Sequence, residues 1–140
     1  MADKQAMIAS IAKREAMLVE LKDQTDAFHA AVVAAFTAMK SFCAATPLET
    51  RAVSATLDQV AKEEPVVDYT AAFSVQHPPC SLRVTPFVRD LDDFRAECGL
   101  VVLSNNERLN GELVFDGGQF VRDGKPADFE ALIADTFTLP

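Results

Sequence analysis

Apolar residues recur every seven positions along the first third of the chain. Starting at Ile11, every seventh residue is Ile11, Leu18, Thr25, Val32 and Met39; the companion positions are Met7, Arg14, Leu21, Phe28, Ala35 and Phe42. Only Arg14 and Thr25 interrupt the series, and alternating three-and-four spacing lets one helix bury a narrow stripe against another. The pattern predicts a helix from about Asp3 to Ala45, roughly 60 Å long at about 1.5 Å per residue. A chain of 140 residues is too small to cover all of it.

The two halves of this helix are flanked differently. Between Lys13 and Asp26 the seam is bordered by Glu15, Glu20, Lys22 and Asp23, whereas from Ala27 onward Val33, Phe36 and Cys43 add apolar flanks. A helix that is apolar on most sides has to be covered on most sides. The reading is a projecting, coiled-coil-like arm over residues 1–25 and a single domain over residues 26–140. Lys22 to Asp26 is the one plausible break, and a break there would fold the arm back as a hairpin. The alanines between Ala27 and Ala38 permit close approach of another backbone, from the same chain or from a partner's helix.

Thr46-Pro47-Leu48-Glu49 carries the signals of a helix start, with a capping hydroxyl, a proline at the first turn and a glutamate placed to complete a capping box. Leu48, Val53, Leu57 and Val60 then predict a second helix, ended by Pro65 and forming a helical hairpin with the first. Beyond Pro65 the period changes to two. Tyr69, Ala71, Phe73 and Val75 alternate with polar or small residues, His77-Pro78-Pro79 interrupts, and Cys80, Leu82 and Val84 alternate back toward Pro86. Asp90 to Glu97 reads as a short helix stopped by Gly99, Leu100 to Leu103 as a central strand, and Glu112 to Phe115 and Gln119 to Arg122 as strands joined at Asp116-Gly117-Gly118. A last helix from Pro126 buries Phe129, Leu132, Ile133 and Phe137. The expected fold class is α+β: a helical hairpin, an antiparallel sheet of four to five strands and a C-terminal helix.

Charge narrows the functional classes. Thirteen basic residues against 21 acidic ones give a net charge of -8. Such a surface repels phosphate, which argues against direct nucleic-acid binding and against anionic membrane. The longest apolar run, Ala27 to Met39, is too short to cross a bilayer. An odd number of widely spaced cysteines, Cys43, Cys80 and Cys98, points to a reducing compartment, and the expected location is the cytoplasm.

Candidate chemistry is sparse. His77 and Cys80 flank a proline pair and, with Tyr69, mark a speculative ligand or thiol site; a turn explains the same residues, and no metal is assigned. Asp90, Asp92, Asp93 and Glu97 crowd carboxylates together without the glycine and alternation of a calcium loop. Asp116-Gly117-Gly118 and Asp123-Gly124-Lys125 fit turns and no nucleotide-binding pattern. His29 beside the seam is read as a core or interface residue. No catalytic grouping and no cofactor is implied.

The leading expectation is a small acidic protein-binding or assembly protein, adaptor- or chaperone-like and more a binder than an enzyme. It would act as a homodimer through Met7, Ile11, Leu18, Leu21, Phe28 and Val32 and take a protein as its target. The alternatives are a small-ligand binder or enzyme at His77 and Cys80, and an acidic inhibitor occupying a nucleic-acid-binding surface.

Overall fold

A computed structural model describes residues 2–54, 71–91, 95–105 and 108–139. Helix α1 runs unbroken from Lys4 to Cys43. Asp3 caps its start, with its carboxylate accepting the Ala6 amide at 3.0 Å. The suspected break does not occur: the Thr25 hydroxyl bonds back to the carbonyls of Leu21 and Lys22, and Lys22 pairs with Asp26 one turn on at 3.5 Å. A hydroxyl that folds onto its own helix leaves the backbone ladder intact.

Seven strands follow among the described residues: β1 (Glu49–Ser54), β2 (Ala71–His77), β3 (Cys80–Leu91), β4 (Arg95–Ser104), β5 (Arg108–Asp116), β6 (Gln119–Arg122) and β7 (Lys125–Pro126). They form one antiparallel sheet in sequence order, and helix α2 (Phe129–Phe137) closes the described chain. The mixed class agrees with the sequence. Its details differ in three places.

The second helix of the expected hairpin is absent from Thr46 to Ser54. Thr46 does accept the Leu48 amide, but its hydroxyl also donates to the carbonyl of Cys43, the last residue of α1. The turn therefore finishes one helix without starting another. From Glu49 the chain pairs with β2, Glu49 opposite Gln76 and Ser54 opposite Ala71. Glu49 and Arg51, two apart on one side of the strand, meet at 2.7 Å, which is a strand spacing. The rest of the expected helix, with Leu57 and Val60, lies outside the described residues.

The expected helix at Asp90 to Glu97 is the second correction. β3 continues through Pro86 to Leu91, and β4 starts at Arg95 so that Arg89 faces Glu97 and Val88 faces Cys98. Pro86 does not end the strand: it stands opposite Leu100 of β4, two residues beyond Val84, which pairs with Phe73 of β2. The third correction is strand number, seven instead of four to five; β1 and the two-residue β7 account for most of the excess.

Turns behave as their residues suggest. Gly117 and Gly118, at φ of 61° and 85°, give the two-residue β5–β6 hairpin the left-handed pair that matches strand twist. Both helices cover one face of the sheet. Phe28, Val32 and Met39 of α1 and Ile133 of α2 join Leu82, Val84, Leu100 and Leu113 in a single buried cluster. A bond from the Gln24 amide to the Ala96 carbonyl, 2.9 Å, fixes α1 over the start of β4.

On the opposite face Gly99 has no room for a side chain. A Cβ there would stand 2.4 Å from the Leu113 carbonyl oxygen and 2.8 Å from the Phe87 ring. Overpacking against backbone is relieved only by shifting a strand, so Gly99→Ala is expected to destabilise the protein by about 2–3 kcal/mol. A urea denaturation midpoint equal to wild type would show that β4 and β5 can separate freely.

Candidate functional site

Helix α1 overhangs the sheet. Its buried residues are Thr25, Phe28, Val32, Ala35, Met39 and Cys43, all in its second part. The same stripe continues toward the N-terminus as Leu21, half-buried at the edge of the core, and then as Leu18, Ile11 and Met7, exposed at 45%, 40% and 55%. Phe28 and Val32, two of the six residues read as interface from the seam, instead pack on the chain's own sheet, so neither is open to a second chain. Ile8 and Val19, at 48% and 61%, widen the open patch and were not singled out by the heptad reading. They flank the seam by one position, a signal visible only when the helix is read as wider than its two seam positions.

From Met7 to Leu18 this stripe faces water over about three turns of helix. It can associate with another apolar surface, releasing roughly 25 cal/mol for each Å² removed from water. The alanines divide by face: Ala35 is buried and Ala31 half-buried, while Ala27, Ala30, Ala34 and Ala38 are exposed. His29 is exposed on the helix surface and is not part of the core.

A second feature gathers around the β2–β3 hairpin. His77 and Cys80 are register partners across a two-residue loop whose Pro78-Pro79 peptide is cis. Pro47, Leu48, Phe137 and Leu139 approach from the start of β1 and the end of α2, and together these residues line an open groove of about 430 Å³. The apolar members arrive from segments far apart in sequence, so the sequence showed only the His-Pro-Pro-Cys portion. Tyr69, the third residue named for this site, lies outside the described residues. Cys98 does not join: it faces Val88 in the core, eight residues along β3 from Cys80, which is about 26 Å of strand. Among the described residues no three metal-binding side chains come together.

In the carboxylate cluster Glu97 is tied into ion pairs of the sheet. Glu97 accepts a hydrogen bond from Arg89 at 3.0 Å; Arg89 also reaches Glu112 at 3.3 Å and lies over the Phe87 ring at 4.8 Å. Asp92 and Asp93 are outside the described residues.

The thiols differ in environment. Cys43 and Cys98 are buried and Cys80 is half-buried. Burial raises both buried thiols, and for Cys98 burial first and the Glu97 charge second push the value up to about 11. Only the thiolate attacks a disulfide reagent. At about pH 8, near the ordinary thiol range, Ellman's reagent is expected to modify Cys80 in the folded protein and Cys43 and Cys98 only in denaturant. The linkage has a definite sign. An unfolded chain releases the Cys98 proton at the ordinary thiol value, the folded chain not until about 11, so stability falls as pH rises through that window. Cys98→Ala is expected to flatten this alkaline loss; an unchanged slope of stability against pH would contradict it.

The chain matches no family model, no curated protein and no solved structure.

Proposed function

We propose that the protein is a small acidic binding or assembly protein, of adaptor or chaperone type, that works as a homodimer through the first part of α1 and engages a protein target. One observation carries this reading: the stripe that buries α1 on the sheet runs on past the sheet, as Met7, Ile11 and Leu18, with nothing of the described chain against it. Helices in proteins draw most of their stability from packing an apolar face, and a second chain would supply that packing to the open part of α1. Three free cysteines, none in a disulfide, support a reducing compartment such as the cytoplasm. Among the described residues no helix is long and apolar enough to cross a membrane.

Solution mass by light scattering at tens of micromolar tests the reading. Twice the chain mass of 15.2 kDa is the expected result. A monomer at that concentration removes the reading's main support.

The groove at the β2–β3 hairpin favours a second reading, a small-ligand site. It has the volume and the mixed lining of such sites, with His77 and Cys80 as polar anchors among Leu48, Phe137 and Leu139. A ligand that raises the melting temperature of the wild type and not of the Leu48→Glu variant would place it there. Equal shifts in both proteins would remove the groove from consideration.

A further inference from the structure

We infer that the occupant of the open stripe is a second copy of this chain, running antiparallel, arm against arm over residues 4–24. The inference rests on the reading of the arm as an assembly element and adds the partner's orientation.

Charge along the arm is divided by sign. Residues 4–14 carry Lys4, Lys13 and Arg14 and no acid, while residues 15–26 carry Glu15, Glu20, Asp23 and Asp26 against Lys22 alone. All of these side chains are exposed. A parallel pair sets the basic stretch on the basic stretch and the acidic on the acidic; an antiparallel pair sets each against its opposite. Over residues 4–24 the antiparallel pair sets Lys13 opposite Glu15 of the second copy and Lys4 beside its Asp23, whereas a parallel pair sets each of these against its own equivalent. Arg14, at the midpoint of the overlap, meets its equivalent in either orientation.

The sheet imposes the same orientation. From Phe28 to Cys43 the stripe side of α1 is filled by the chain's own strands. A parallel partner helix lying on residues 4–24 continues along that side into the space the sheet occupies. An antiparallel partner helix starts there: its capped first turn, at Asp3 and Lys4, lies near Gln24, where the core begins. The overlap then spans 21 residues of each copy, about 30 Å, with the two sheets at opposite ends of the paired arms.

The test uses the full chain with a nitroxide at Gln5→Cys in a Cys80→Ser background, and reads the label-to-label distance in the dimer by double electron-electron resonance. The antiparallel pair places the labels about 30 Å apart, and a parallel pair places them within about 20 Å. A second arm uses charge. Lys13→Glu is expected to weaken dimerisation about tenfold at low salt, and adding Glu15→Lys in the same chain to restore it. A short distance, or no restoration, overturns the antiparallel arrangement while leaving the arm as the dimer element. A chain that stays monomeric in light scattering overturns both.

Discussion

Phe28→Ala is expected to cost about 3–5 kcal/mol of folding free energy, the range for deleting a buried aromatic ring. Phe28 has no exposed surface. Its ring lies 5.5 Å from that of Phe115 and 5.9 Å from that of Phe120, and Phe120 in turn meets Phe129 edge-on at 5.8 Å. One side chain of α1 thus ties together β5, β6 and the first turn of α2. Collapse into the vacated space is opposed from above, because the Gln24 bond to β4 holds the backbone of α1 one turn away. Against the roughly 5–15 kcal/mol that a domain of this kind has in total, the loss removes a large share. Urea unfolding followed by far-ultraviolet circular dichroism measures it, and a loss under about 1 kcal/mol would mean that α1 is not the spine of the core.

Leu18→Glu is expected to do the opposite. Leu18 is 45% exposed and belongs to the same seven-residue series as the buried Val32, yet it stands off the sheet. In the isolated chain the substitution exchanges one exposed helix former for another, and the folding free energy measured at high dilution is expected to stay within about 0.5 kcal/mol of wild type. In the dimer it places a carboxylate in the centre of an apolar seam, where it must give up water without a fixed counter-charge. A loss of about 2–4 kcal/mol of association energy follows, roughly 30- to 1,000-fold in dissociation constant. Sedimentation equilibrium reads the dissociation constant. Comparable dimerisation of the variant would show that the stripe is not the interface, and a large loss of stability in the dilute monomer would show that Leu18 is a core residue.

The pair of substitutions exposes what the amino-acid sequence can and cannot convey. Leu18 and Val32 are equivalent as letters in a heptad, and the periodicity that makes both part of one helix is local. Which of them meets the sheet depends on where the sheet ends, a matter of distant strands. The same division holds elsewhere. The glycine turn at Gly117-Gly118 and the hairpin through His77-Pro78-Pro79-Cys80 are local chemistry and could be read directly. Glu49 to Ser54 could not: its capping signals at Thr46 and Pro47 are real, but pairing with β2, whose partners lie well downstream from Ala71 to Gln76, decides the backbone.

Asp90 to Glu97 shows a related limit. An acidic start and a glycine stop imitate a helix, whereas the register of Arg89 with Glu97 and of Val88 with Cys98 draws both flanks into strands. The groove at the proline hairpin was half legible. His77 and Cys80 stand together in the sequence, but Leu48, Phe137 and Leu139 reach them only through the fold.

On the proposed reading α1 changes role along its length, from assembly arm to spine of the core. Backbone amide hydrogen exchange along α1, measured on the full chain at low and at high micromolar concentration, tests it most directly. Amides from Phe28 to Cys43 are expected to be protected equally at both concentrations, because the sheet covers them in every copy. Amides over residues 7–24 are expected to exchange rapidly in the dilute sample and to gain protection as concentration rises and arms pair. Protection over residues 7–24 that does not change with concentration would show that the arms do not pair.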